Sequence, residues 1–273
     1  MKNTKWRQNQ EALKINIEKL GIKQLLVHSD SFKSLGFIDF SIDQNQNLAR
    51  HLSFLSELSS SLVIPAFNYN FPKNLLFDFN HFKSQTGAIS DAFKLAQPGA
   101  TFDPMFSMSY TSGLELFSEY QKTVNTFESS GVFSRLIGSN SGILFYGADV
   151  RAATLIHYVE AMLSVPYRYE KKFKGKVSIN GTIKDLEYIS HFRPMGFYLD
   201  YDWARIEADL ICNGLVSSVG KYCHLFNAQQ LFNFWYSKMK HDPLYFLDAK
   251  SRLWVEPKLN YLGRRFECSD FEG

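Results

Sequence analysis

Leu25-Leu26-Val27-His28-Ser29-Asp30-Ser31 joins an unbroken apolar run to a polar turn that ends near Gly36. An apolar run without alternation reads as a strand buried on both faces, as in a parallel sheet covered by helices. Before it, residues near 5 to 20 have helical spacing, with Leu13, Ile17 and Leu20 on one face and Gly21 as the stop. After it, residues 44 to 58 repeat the pattern through Leu48, Leu52 and Leu55. Ser61 to Phe67 reads as a second apolar strand, and residues 87 to 95 as a short helix closed by Pro98-Gly99. Gly142 to Gly147, around Ile143-Leu144-Phe145, is a third strand. A helix from Thr154 to Leu163 follows it, with Thr154 as N-cap. Strands separated by helices predict parallel β/α units.

The pattern then changes. Lys176 to Lys184 carries Asn180-Gly181 at its centre, a pair suited to a type I′ hairpin turn. Residues 167–195 therefore read as an antiparallel insert or subdomain. The last third returns to helices, one from about Asp202 to Asn213 stopped by Gly214. Another starts at Asn227, with Gln230 at the offset of a capping box. No repeat or long linker divides the chain, which reads as a single domain over residues 1–273.

Composition narrows the function. Of 273 residues, 45% are hydrophobic and 21% charged, a globular balance rather than a disordered one. Thirty basic against 27 acidic residues leave a net charge of +3, too small for a duplex nucleic-acid binder. No apolar run approaches the ~18 residues of a membrane span. The polar start, Met1 to Gln10, has no signal-peptide core, so a cytoplasmic protein is expected. Three cysteines without a CxxC pair fit a reducing compartment and no Cys-based zinc site. Dinucleotide, P-loop, GxSxG and HExxH signatures are absent, and no metal is expected.

Thr154-Leu-Ile-His157-Tyr-Val-Glu160 carries the chemistry. Three-residue steps on a helix place side chains about 60° apart, so His157 and Glu160 are neighbours with Thr154 below them. A carboxylate beside an imidazole fixes its tautomer, as a general base requires. A hydroxyl and free N–H groups at the helix start suit developing negative charge. Such a pair is equally an ordinary helix contact when taken alone. His28 to Ser34 sits where ligands gather beyond the carboxyl ends of strands. Asp103-Pro104 reads alone as a turn start. His51, His81, His191, His224 and His241 read as ordinary.

The ordered blocks resemble the aminoglycoside 3-N-acetyltransferase family. They are Leu26-Val-His-Ser-Asp30 with Gly36, Val63 to Phe67, Thr86-Gly-Ala88 through Phe93 with Pro98-Gly99, and Asp103-Pro-Met-Phe-Ser107 with Gly113. Ser129-Ser130 with Phe133, Ile143 to Gly147, and Thr154-x-x-His157-x-x-Glu160 complete the order. Together they run over roughly residues 20–165. The resemblance implies a three-layer α/β/α fold with a mostly parallel sheet, and an acyl-coenzyme A donor. It implies His157 as base, oriented by Glu160, with Thr154 supporting the oxyanion or the departing sulfur. His28, Ser29, Asp30, Ser31, Gly36 and Ser107 are expected to hold coenzyme A; Asp103, Phe67, Tyr69 and Arg193 are expected at the acceptor. Asp103 stands where antibiotic-modifying members usually carry His. That departure resembles a branch acting on dTDP-linked 3-amino-3,6-dideoxyhexoses for cell-surface polysaccharide. Acetylation of an aminoglycoside is the alternative, and a ligand-binding relative without catalysis another. The acyl group, acetyl or 3-hydroxybutanoyl, and the oligomeric state are left open.

Overall fold

The computed structural model describes residues 4–97, 99–111, 114, 116, 119–137 and 140–272. Pro98 and Gly113, both singled out above, lie outside the described residues. The chain opens with α1 (Lys5–Lys19), β1 (Gln24–Ser29), α2 (Gln44–Leu58) and β2 (Ser61–Pro65). Next come α3 (Phe71–Asn74), β3 (Leu76–Asp78), α4 (Ala88–Ala96), β4 (Gly99–Ala100), β5 (Met108–Tyr110), β6 (Thr123–Asn125) and α5 (Val132–Ile137). Then β7 (Ser141–Tyr146) leads to α6 (Leu155–Met162), β8 (Tyr169–Ile179) and β9 (Thr182–Phe192). The chain finishes with α7 (Trp203–Cys212), β10 (Ser217–Ser218), β11 (Cys223–Asn227), α8 (Ala228–His241) and α9 (Ala249–Leu262). No helix among the described residues is long and apolar enough to cross a membrane.

Among the described residues the main sheet has the order β10-β11-β7-β1-β2-β5-β4. β1 lies at its centre, parallel to both β7 and β2. The flanking β11 and β5 run antiparallel to their neighbours. The alternation of β1 explains its unbroken apolar run. Leu25 and Val27 face a core shared with Leu13 and Ile17 of α1, Phe54 and Leu55 of α2, and Phe93 of α4. Leu26 faces the opposite core, with Phe133 of α5, Val159 of α6 and Trp235 of α8. Leu25, Leu26 and Val27 are each at most 1% exposed. Each face of the strand removes apolar surface from water, which contributes roughly 25 cal/mol per Å². The expected three layers are present.

The hairpin of β8 and β9 forms through a turn in which Asn180 and Gly181 both have positive φ, 48° and 77°. This is the I′ geometry that Asn-Gly favours. The sequence reading of an insert over 167–195 is incomplete, however. β3 adds parallel to β8 and β6 adds parallel to β9, giving a second sheet of order β3-β8-β9-β6. Open hairpin edges present unpaired backbone groups, and these two earlier strands satisfy them. Phe77, Phe102, Val177 and Tyr188 are among the residues forming the apolar core of this sheet.

Gly175 marks the tightest approach in the second sheet. A Cβ there would lie 2.4 Å from the Leu75 carbonyl oxygen and 3.0 Å from the Phe71 ring. That carbonyl also accepts from Lys176 N at 2.9 Å, so it has no room to retreat. Gly175→Ala is expected to cost about 1–3 kcal/mol, the range for overpacking. Urea denaturation of the two proteins measures it, and equal midpoints would show that the contact is not made in solution.

Candidate active site

The carboxyl ends of β1 and β2 meet the start of α6 around one cavity of about 300 Å³. His28 and Ser29 come from β1, Phe67 and Tyr69 from the segment after β2, and Thr154 and His157 from the start of α6. Parallel α/β sheets gather ligands at this end because strands stop there and loops diverge. Thr86, Ser90, Phe106 and Arg151 complete much of the wall. Among the described residues the lining carries the guanidinium of Arg151 and no carboxylate.

Behind the wall, the helical spacing works as the sequence predicts. His157 Nδ1 is 2.9 Å from Glu160 Oε2. Glu160 has no exposed surface, and a buried carboxylate persists only when its lone pairs are filled. Tyr167 and Tyr201 each donate a hydroxyl to its Oε1 at 2.7 Å. Arg168 Nε lies 2.8 Å from Oε2 as an ion pair. The Arg168 guanidinium also donates to the Tyr201 hydroxyl at 2.5 Å and to the His191 carbonyl at 3.2 Å. A tight reversal after α6 brings these groups round, with Ser164 at φ 47° and Val165 N donating to the Glu160 carbonyl.

Burial alone would raise the Glu160 carboxyl, but Arg168, His157 and Tyr201 outweigh it and hold it down at about 2. An ionised Glu160 fixes the histidine tautomer: Nδ1 carries the proton and donates, leaving the Nε2 lone pair free. Burial and then the Arg168 charge push the His157 pKa below its ordinary value, against the opposing pull of Glu160. The ring is therefore a neutral acceptor near pH 7. Its side chain is 29% exposed and forms part of the cavity wall, with the Phe127 ring set edge-on 6.0 Å away.

Thr154 corrects one expectation. It is the residue before α6, but its backbone is already helical and its side chain caps no N–H. Its hydroxyl instead approaches the Ala152 carbonyl at 3.4 Å, a weak contact. His28 is 6% exposed, stacked on Phe145 with centroids 5.2 Å apart. His28 Nε2 and Ser29 Oγ are buried with no hydrogen-bond partner among the described residues.

Several predicted residues stand elsewhere. Asp103 does not line the cavity: it is 7% exposed, and its carboxylate accepts from Met105 N, Phe106 N and the Thr126 hydroxyl at 2.6–2.8 Å. It thus caps its own turn, the role its position before Pro104 suggests. Ser107 is buried and donates to the Thr101 carbonyl at 2.8 Å. Asp30 accepts from Phe32 N and Lys33 N, closing the turn after β1. Ser31 lines a separate apolar recess over His51. Gly36 lines a further cleft of about 480 Å³, with Lys33 and Lys221. Arg193 donates to the Leu199 carbonyl at 2.7 Å and is otherwise exposed. His51, read as ordinary, is fully buried against Tyr146, its Nδ1 2.8 Å from the phenol.

The sequence reading missed Tyr167, Arg168 and Tyr201. Tyr201 meets Glu160 across 41 residues of chain, and no periodicity links the two.

The signature of the family described as aminoglycoside 3-N-acetyltransferase matches residues 26–240. No curated protein matches the chain. Among solved structures, the aminoglycoside acetyltransferase AAC(3)-IVa apoenzyme is 18% identical with a TM-score of 0.59, over 88% of this chain and 91% of that one. AAC(3)-Xa is 15% identical with a TM-score of 0.65, over 85% and 92%. AAC-IIIb, in a binary complex with CoASH, is 14% identical with a TM-score of 0.63, over 85% and 96%. The same fold carries all of them.

The buried imidazoles give the protein a defined acid sensitivity. Burial lowers His28 and His51 to about 4 and His191 to about 3. Each is neutral when folded and binds a proton when unfolded below about pH 6.5, so stability falls as pH drops from there. Glu160, held at about 2, adds a loss in the same direction below about pH 4.5. The shifts of His28 and His51 correspond to roughly 3 kcal/mol each by pH 4. Urea midpoints at pH 7, 5 and 4 are expected to fall steadily; a flat series would mean the rings are not held neutral.

Proposed function

This chain belongs to the aminoglycoside 3-N-acetyltransferase family and is an acyl-coenzyme A-dependent N-acyltransferase; from that premise we propose that it acylates an amine of an amino sugar with His157 as general base. The observation that carries the reading is His157 itself. It stands at the cavity wall with Nδ1 committed to an ionised carboxylate and Nε2 left to accept a proton. The donor supplies a thioester. The acceptor amine loses its proton to His157 Nε2 as nitrogen bonds to the acyl carbon, and the carbon–sulfur bond breaks. The proton then passes to the departing thiolate. The Thr154 hydroxyl and the N–H groups opening α6 meet the negative charge that develops meanwhile.

The residues present suit the donor. His28 Nε2 and Ser29 Oγ, polar and unpartnered among the described residues, flank the cavity where an amide-bearing pantetheine arm would need hydrogen bonds. Beyond the turn, the cleft at Gly36 carries Lys33 and Lys221, cations suited to phosphates. We read residues 1–273 as one catalytic unit, since the second sheet draws strands from both sides of α6.

For the acceptor, family membership favours an aminoglycoside. Two further structures of AAC(3)-IVa, both of a histidine-to-alanine mutant, are complexes with a gentamicin and with apramycin. One observation favours a second reading, a nucleotide-linked amino sugar. A polycation calls for carboxylates at its site, whereas the described wall here offers Arg151 and none. Arg151 is 65% exposed and only loosely paired with Asp149 at 3.6 Å, so it is free to meet a phosphate.

His157→Ala is expected to lower kcat by about 10²–10⁴ with the fold intact, and unchanged turnover would remove the base from the mechanism. Thr154→Ala is expected to lose up to ~10²–10³ if its hydroxyl supports the oxyanion. Acetyl-coenzyme A assays against an aminoglycoside panel and a dTDP-linked 3-amino-3,6-dideoxyhexose separate the two acceptors. Arg151→Ala is expected to raise KM only for the nucleotide-linked one. Calorimetry that detects no coenzyme A binding would retire the enzymatic reading.

A further inference from the structure

We propose that Arg168 is a positioning residue that keeps the His157–Glu160 pair in its uncharged-imidazole form, with Tyr201 holding Arg168 and Glu160 in register. This inference rests on His157 being the base, as read above.

A His–carboxylate pair isolated from other charges has a drawback as a base at neutral pH. The carboxylate attracts a proton to the imidazole, and a protonated imidazole accepts nothing. Here the carboxylate is not isolated. Glu160 Oε2 is shared between His157 Nδ1 at 2.9 Å and Arg168 Nε at 2.8 Å. A permanent cation therefore sits on the same oxygen as the imidazole and offsets its negative charge. Arg168 is the suited residue because guanidinium keeps its charge when buried, and its side chain is only 7% exposed. Its opposite edge is tied to the Tyr201 hydroxyl and the His191 carbonyl.

Tyr201 closes the arrangement. Its oxygen is 2.7 Å from Glu160 Oε1, 2.5 Å from Arg168 and 3.3 Å from His157 Nδ1. Tyr167 fills the remaining place on Oε1. The charged and titratable groups bearing on His157 are thus Glu160 from its own helix, Arg168 and Tyr167 from the residues just before β8, and Tyr201 from the segment before α7. Arg193 acts on it at longer range, and His191 of β9 is also coupled to it. Of the cations, Arg168 is the one in contact with the Glu160 carboxylate. It is also the one whose charge most lowers the His157 pKa. No local signal in the sequence marks Arg168 for this work.

The experiment follows His157 directly by NMR titration of its ring nuclei, beside the pH dependence of kcat/KM. Wild type, Arg168→Met, Arg168→Lys and Tyr201→Phe are compared. In Arg168→Met the His157 titration is expected to move up by about one pH unit or more. The acid limb of kcat/KM is expected to move with it, so that activity lost at pH 7 returns near pH 9. Arg168→Lys, which restores the charge, is expected to lie between Arg168→Met and wild type. Tyr201→Phe keeps the ring in its packing and is expected to shift the titration in the same direction by less. It serves if Arg168→Met fails to fold. A titration unmoved in the folded variants, or an equal activity loss at every pH, would reduce Arg168 to a structural role and overturn the proposal. The ring titration is read without turnover. A shifted His157 in a protein whose His157→Ala form is still active would therefore fault the base assignment and leave the electrostatic coupling standing.

Discussion

The buried negative charge of Glu160 is the constraint around which the rest of this molecule is arranged. A carboxylate withdrawn from water persists only if its lone pairs are filled by donors and its charge by a cation. Glu160 has two tyrosine hydroxyls on one oxygen, and an imidazole and a guanidinium on the other. These come from α6, from the residues just before β8 and from the segment leading into α7. The sharp reversal at Ser164 and the approach of Tyr201 are both consequences of that demand. Removing the Arg168 guanidinium would leave that charge uncompensated, and removing a tyrosine hydroxyl would leave a buried lone pair unfilled.

The two sheets serve this arrangement in different ways. The main sheet supplies the cleft: β1 and β2 end beside α6, so His28, Ser29 and Phe67 converge with Thr154 and His157. The second sheet supplies the backing. Tyr167 and Arg168 enter just before β8, and the His191 carbonyl that anchors Arg168 belongs to β9. A hairpin that looks peripheral in the chain thereby holds the carboxylate side of the His157–Glu160 pair.

The character of the cleft sets a tension with the family to which the chain belongs. An acceptor carrying several ammonium groups is best met by acidic walls. Glu160 is hidden behind His157 with its charge already matched by Arg168. What faces the cavity is aromatic, hydroxylic and, at Arg151, cationic. Aromatic faces stack on a ligand, hydroxyls hydrogen-bond to it, and a guanidinium pairs with an anion.

Much of the framework was legible from residue order because it follows from local rules. The unsplit run Leu25-Leu26-Val27 marked a strand covered on both faces, and the spacing of Leu48, Leu52 and Leu55 marked α2. Asn180-Gly181 fixed a hairpin turn by backbone preference alone. The His157–Glu160 contact was legible for the same reason, since residues three apart on a helix stand about one turn from each other. Tertiary structure alone decided what depends on distant segments meeting. β3 and β6 complete the second sheet from earlier in the chain. The Thr126 hydroxyl, 23 residues further on, reaches the Asp103 carboxylate and seals it in the turn that Asp-Pro alone suggested. Arg168 and Tyr201 reach Glu160 because burying a charge forces compensating groups together, wherever in the chain they lie. A pattern of side-chain spacing carries no record of that requirement.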